Sequence, residues 1–235
     1  MLLRSFRRET GERSYKFDCR ALSQRDRARQ GEVFPLIWKY LVIAAGSYVV
    51  GSMSLSILAS KALFGGDIRK EGSGNAGATN MARVHGWGAG LLTLAWDALK
   101  AAACMYGGNA LAGEIGLCIG AGACILGHCF PVLHGFKGGK GIAVGGAVAF
   151  GIDWRVGLCT VGAFLLGSLL SKKVSVGSLC GAFAIAASSF LFHVSTPRLI
   201  LSIFCACLAI ARHHNNIKRL AEGTEPDFKA GKSGK

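Results

Sequence analysis

Proline is scarce in this chain, four among 235 residues, and its 34 glycines follow no three-residue period, so a collagen-like helix is excluded. Charge is sparse too: 17% of residues are charged against 51% apolar, and the mean hydropathy is +0.40. So little charge speaks against disorder, and so much apolar surface against an ordinary soluble domain. The nine cysteines contain no Cys-x-x-Cys pair, and all but Cys19 lie in or beside apolar segments. They read as small buried thiols, neither a disulfide framework nor a zinc site. Acidic residues number 13 against 27 basic ones, a formal charge of +14. That excess suits nucleic acid, anionic lipid or an anionic substrate, and the positions of the cations must decide. The class that remains is an all-α, polytopic integral membrane protein.

Residues 1–32 carry nine basic and five acidic side chains and no apolar run long enough for a signal-peptide core. They are expected to be a mobile polar extension ahead of a transmembrane domain at 33–225, with a basic tail at 226–235. Apolar segments fall at about 34–58, 88–107, 113–132, 141–152, 155–170, 175–193 and 198–211. A spanning helix needs about 17–25 residues, so the first three and the sixth qualify directly, while those at 141 and 155 are short. The pattern predicts about seven transmembrane helices, with six or a re-entrant element as the alternative.

If the spans alternate, the loops at 59–87, 133–140 and 171–174 share one side with the tail from Arg212. That side holds fourteen basic residues and the other only Arg155 and Arg198, which places the first set in the cytoplasm. The nine basic residues before Phe34 would then lie outside, against the same rule.

Three polar clusters fall on the expected cytoplasmic side. The first runs from Asp67 to Asn80, with Arg83 beyond it. Gly72, Gly74 and Gly77 match G-x-G-x-x-G, but no βαβ context surrounds them, so a dinucleotide fold is not indicated. Such a backbone can still turn N–H groups toward an anion, with Ser73, Asn75, Thr79 and Asn80 adding donors and Arg83 charge. The bland alternative is a flexible loop with a helix cap.

The second cluster joins Gly127-His128 and Pro131 to Gly135-Phe136-Lys137-Gly138-Gly139-Lys140-Gly141. It is not a Walker A loop, because the glycine spacing is short and Gly141 stands where Ser or Thr binds magnesium. Its lysines can clamp a phosphoryl group or touch anionic lipid. The third cluster spans Arg212 to Glu225. If the last helix continues, His213 and Asn216 share a face. The adjacent His213 and His214 point apart, so no metal is expected. Within the second span, Asp97 and Lys100 are placed to pair across one helical turn or to line a cavity.

Together these stretches resemble the bacterial acyl-phosphate:glycerol-3-phosphate acyltransferases, the PlsY family. The matches are Gly51-Ser52, Gly65-Gly66-Asp67-Ile68-Arg69 running into Gly72–Asn80, Asp97-Ala98-Leu99-Lys100, Gly127-His128 with Pro131, Gly135–Gly141, and Arg212-His213 with Asn216–Leu220. They cover roughly residues 46–225 in the family's order. The resemblance implies a seven-span enzyme of the bacterial inner membrane with its active site facing the cytoplasm. It would move a fatty acyl group from acyl phosphate to the sn-1 hydroxyl of glycerol 3-phosphate, giving lysophosphatidic acid and inorganic phosphate for phospholipid synthesis. It implies a catalytic set of Ser73, Arg83, Lys140, His213 and Asn216. Gly72, Gly74, Asn75, Gly77, Thr79, Asn80, His128, Lys137, Gly138, Gly139 and Gly141 are implied to bind substrate and phosphate. No metal, cofactor or nucleic acid is implied, and the partners are the two substrates and the bilayer. The chain departs from the family at Met53-Ser54, where a proline is usual, and at His214 and Asn215, where arginine and glutamate are usual. No histidine is followed five residues later by aspartate, the base pattern of the unrelated acyl-CoA-dependent enzymes. The rival from another class is a transporter for a phosphorylated metabolite, which predicts cations on both faces of a pathway.

Overall fold

The computed structural model describes residues 37–228. The expected extension at 1–32 and tail residues 229–235 lie outside the described part. Among the described residues every regular element is helical. A first helix, α1, covers 37–52, followed by α2 (Leu55–Phe64), α3 (Ala78–His85) and α4 (Trp87–Cys129). Then come α5 (Ile142–Ile152), α6 (Trp154–Ser171), α7 (Val174–Leu191), α8 (Thr196–Arg212) and α9 (His214–Ala221).

Although continuous by hydrogen bonding, α4 is two antiparallel arms. Ala112 and Gly113 leave the helical region, Gly113 at φ 60° and ψ −150°, a conformation that favours glycine. Beyond that turn the arms touch backbone to backbone: a Cβ on Gly108 would lie 2.1 Å from the Gly116 carbonyl, and one on Gly120 would lie 2.4 Å from that of Cys104. Close approach through small residues is how membrane helices gain packing energy without a hydrophobic drive. The two spans expected at 88–107 and 113–132 are these arms.

The segment expected as one span at 34–58 is broken between α1 and α2 at Met53-Ser54. The Met53 carbonyl released by the break accepts from Trp96 Nε1 at 3.0 Å and from Lys100 Nζ at 3.4 Å, so the interruption is satisfied inside the bundle. Together α1 and α2 form a 28-residue apolar stretch, Ile37–Phe64. Four helical stretches among the described residues are long and apolar enough to cross a membrane, five if the bent pair α8 and α9 is one span. That figure counts α4 once. The stretch expected to be short at 155–170 extends to 18 residues in α6, whose first turn Asp153 caps by accepting from Arg155 N–H at 2.8 Å. The 11-residue α5 rises only about 16 Å, half of a hydrocarbon core. It lies at the centre of the packing, with Val144, Val148, Ala149 and Ile152 buried against Ile125, Val156 and Leu201. Leu169, Leu170 and Phe183 face outward, as in a lipid-facing surface.

The loops at 59–87, 133–140 and 171–174 meet the tail at one end of the bundle. Arg69 Nη1 donates to the His134 carbonyl at 2.7 Å, Lys173 pairs with Asp227 at 2.6 Å, and Phe228 N–H reaches the Lys172 carbonyl. Elsewhere Arg155 pairs with Asp153, and Arg198 with Glu114.

Candidate active site

Each of the three clusters is shaped by a few internal hydrogen bonds. In the first, Asn80 at the start of α3 is buried; its Oδ1 accepts from Ser73 N–H at 2.9 Å, and its Nδ2 donates to the carbonyls of Ile68 and Glu71. Both amide protons are therefore spent on the loop, so Asn80 shapes the glycine turn and is no donor to an anion. Gly72 and Gly74 adopt positive φ there. Replacing Asn80 by leucine removes three hydrogen bonds, one of them to the buried Ile68 carbonyl, and is expected to cost about 2–3 kcal/mol. Thermal unfolding in detergent, with activity at a permissive temperature, checks this.

Asp67 takes two hydrogen bonds from the Arg69 guanidinium, at 2.9 and 2.7 Å, which hold its carboxyl well below the usual range. The remaining Arg69 nitrogen reaches His134, so this pair fastens the first loop to the second.

The second loop turns back along the end of α4. Gly139 N–H donates to the His128 carbonyl at 3.1 Å, and side chains at 138 or 139 would collide with His128. From the other side, Arg212 donates to the carbonyls of Gly138 and Gly139 and lies over the Phe130 ring.

The last helix does not continue as one: α8 and α9 meet at 57°, with His213 at the bend. His213 is buried, and its Nδ1 lies 2.7 Å from the Ala209 carbonyl. A carbonyl only accepts, so Nδ1 carries the proton and Nε2 the lone pair. Burial pushes the imidazole down to about 4, leaving it neutral at physiological pH. Asn216, also buried, accepts from Lys140 through Oδ1 and donates from Nδ2 to Glu225 Oε1 at 2.7 Å. Arg219 Nε donates to the other Glu225 oxygen at 2.7 Å. Burial alone would raise Glu225, and the surrounding donors, Asn216 and Arg219 among them, hold it below its ordinary value. For Lys140, burial pushes the ammonium down to about 8; Glu225 opposes this, while Arg219, Arg212 and Arg83 add to it.

A cavity of about 330 Å³ opens where the three clusters meet. Ser73, Gly74, Asn75 and Arg69 line it from the first; Phe136, Lys137, Gly138 and Lys140 from the second; Arg212, His214, Asn215, Asn216 and Arg219 from the third. Five cations face it and no carboxylate does. Of the expected catalytic set, Ser73, Lys140 and Asn216 line the cavity; Arg83 and His213 stand behind it, close enough for their charges to act on Lys140 or feel it. Gly72, Gly77, Thr79, Gly139 and Gly141 shape the loops without lining the cavity, and His128 lies behind them among membrane-buried charges. Arg69, Phe136, Arg212, His214, Asn215 and Arg219 were not among the expected site residues. Arg69, Phe136, Arg212 and Arg219 fall within the stretches that carry the family resemblance, whereas the signal for His214 and Asn215 was their place in the third polar cluster.

Comparison with known proteins agrees with this geometry. The family model described as glycerol-3-phosphate acyltransferase matches residues 41–223. The chain belongs to that family. Among its relatives, the glycerol-3-phosphate acyltransferase of Gluconobacter oxydans is 38% identical over 196 residues, covering 80% of this chain and 93% of the relative. That of Syntrophotalea carbinolica is 38% identical over 203 residues, covering 81% and 98%. A crystal structure of PlsY, an integral membrane glycerol 3-phosphate acyltransferase, in its glycerol 3-phosphate form superposes with a TM-score of 0.77 at 33% identity, covering 81% of this chain and 96% of that one. Its lysophosphatidic acid form gives 0.74 at 31% identity. The fold is thus that of an integral membrane acyltransferase, and the family's matched region contains the first two clusters and the third as far as Gly223.

Proposed function

We propose that this protein acylates the sn-1 hydroxyl of glycerol 3-phosphate from acyl phosphate, at the cytoplasmic face of a bacterial inner membrane. One observation carries the reading: three loops distant in sequence converge on a single cavity lined by Arg69, Lys137, Lys140, Arg212 and Arg219. Both substrates and the leaving phosphate are anions, and hydrogen bonds from fixed cations and glycine-loop N–H groups are the strong means of holding them. In the transfer, the hydroxyl oxygen attacks the acyl carbon, the bond from that carbon to the phosphate oxygen breaks, and inorganic phosphate departs. Lys140 and Arg212 offset the charge that develops on the oxyanion and the departing group. Asn216 holds Lys140, and Glu225 in turn orients Asn216. His213 is buried behind the cavity, and that burial pushes its imidazole down to about 4, which makes it a weak base. In this reading the hydroxyl proton passes to a substrate phosphate oxygen within the cavity, and neutral His213 stays behind it. The acyl phosphate brings its own activation, so the reading assigns no metal and no covalent enzyme intermediate.

The cytoplasmic orientation rests on the fourteen basic residues against two in the alternating loops. A transporter would need unpaired cations on the far side as well, whereas Arg155 and Arg198 there are both in ion pairs. The test is turnover by the purified protein with glycerol 3-phosphate and each of three donors: acyl phosphate, acyl-CoA and acyl carrier protein. Acyl phosphate alone should support it, with or without chelator. Robust transfer from acyl-CoA, or loss of activity on chelation, overturns the donor assignment.

A further inference from the structure

The most deeply buried charges among the described residues do not reach the cavity. Asp97, Lys100 and His128 are each no more than 3% exposed, on facing sides of the two α4 arms. Lys100 Nζ lies 2.8 Å from Asp97 Oδ1, 3.1 Å from His128 Nδ1 and 3.4 Å from the Met53 carbonyl. Ionisable groups at membrane depth are costly to keep and mark function more often than packing. From sequence, Asp97 and Lys100 were expected to pair across one turn or to line a cavity, and the structure shows the pairing.

The third member changes what the pair does. His128 Nδ1 lies 3.1 Å from Lys100 Nζ and 3.4 Å from Asp97 Oδ1, so the pair grips that edge of the ring and Nε2 turns the other way. Nε2 faces Gly139, where a Cβ would approach it to 2.2 Å, and the Ala76 carbonyl of the first loop lies 2.7 Å from the same point. The His128 carbonyl meanwhile receives Gly139 N–H. His128 is thus the shelf on which Gly138-Gly139 rests, and Lys140 is the next residue.

We propose that Asp97, Lys100 and His128 form a positioning network that locks the His128 ring beneath Gly139 and so fixes the depth at which Lys140 enters the cavity. None of the three touches substrate. They act from the membrane interior through the loop, and the broken end of α1 is drawn in through Met53. The inference deepens the acyltransferase reading and rests on it for the kinetic arm of its test.

Two variants separate positioning from folding. Asp97→Leu with Lys100→Met removes both charges together, so neither is left unpaired in the membrane. His128→Leu removes the ring and leaves the Asp97–Lys100 pair whole. Each is measured by kcat with acyl phosphate and by trace acetylation of Lys140 with acetic anhydride across pH, read by mass spectrometry. Groups facing Lys140 from every side, Glu225, Arg219, Arg212, Arg83 and His213, are unchanged in both. In the wild type, Lys140 reactivity should be half-maximal near pH 8. In either variant the loosened loop should hydrate Lys140, moving that midpoint up by at least one unit and lowering kcat at least tenfold. A role in stability alone lowers the melting temperature and leaves the Lys140 midpoint where it was, and that result overturns the proposal in whichever variant folds. If the wild type shows no transfer from acyl phosphate, the functional reading fails on its own, and the Lys140 titration still decides the network.

Discussion

Replacing Lys140 by alanine is expected to lower acyl transfer by about 10- to 100-fold while leaving the helical bundle folded. The side chain is one charge-assisted donor, and losing about 1.5–3 kcal/mol of transition-state stabilisation corresponds to that range. Its aliphatic stem crosses no core cluster, so the melting temperature should move little. Lys137→Ala, on the exposed rim of the same loop, is expected to cost threefold or less (about 0.6 kcal/mol). The same lysine sets the pH profile. Its ammonium titrates near 8, below the ordinary 10.5, because burial disfavours the charged form. The cation is therefore present below pH 8 and lost as pH rises through it, so kcat should fall on the alkaline side with a midpoint near 8. Lys140→Arg keeps its charge at every accessible pH and should abolish that limb, whatever its effect on the rate. If Lys137→Ala and Lys140→Ala behave alike and only weaken contact with anionic lipid, the loop is a headgroup anchor.

Asn216→Asp should be the more damaging change despite its nearly identical shape. It keeps the oxygen that accepts from Lys140, but removes the donor to Glu225 and sets a second carboxylate against one that lies 2.7 Å away. Two carboxylates at that separation do not both ionise in a buried site, so one must take up a proton or the tail must move. The expected result is a loss in kcat of at least about 100-fold, the effect of nearly 3 kcal/mol. Added negative charge beside Lys140 should also raise its midpoint, shifting the alkaline limb upward even as the rate falls. Asn216→Ala lacks the second carboxylate and should lower the rate without raising the midpoint. Measuring kcat against pH for both variants distinguishes electrostatic coupling from simple loss of a contact.

Much of the architecture was legible because the membrane writes it in composition. Apolar runs separated by glycine and lysine clusters located the helices, and the short α5 announced itself by length. The break at Met53-Ser54 was hidden, since no proline or charge marks it and the carbonyl it frees is satisfied by Trp96 and Lys100, more than forty residues away. Asn80 read as a ligand because its amide suits an anion; the use of that amide inside its own loop appears only in three dimensions. The same holds for Glu225, nine residues beyond Asn216, a spacing with no helical meaning once the chain has left α9. His128 entered the expected binding set only through the family resemblance; taken alone it read as a hydrogen-bonded packing histidine, and its side chain does point back to Asp97 and Lys100.

The central claim is that three segments build one site and that this site faces the cytoplasm. Single cysteines at Lys70, Lys137 and Lys218, all exposed, report one segment each on a background with the native thiols replaced. The measurement is labelling by a membrane-impermeant maleimide in intact cells and again after permeabilisation. All three positions should be protected in intact cells and labelled once the membrane is opened. Labelling of one position but not the others in intact cells would split the clusters across the membrane and contradict a shared cytoplasmic site.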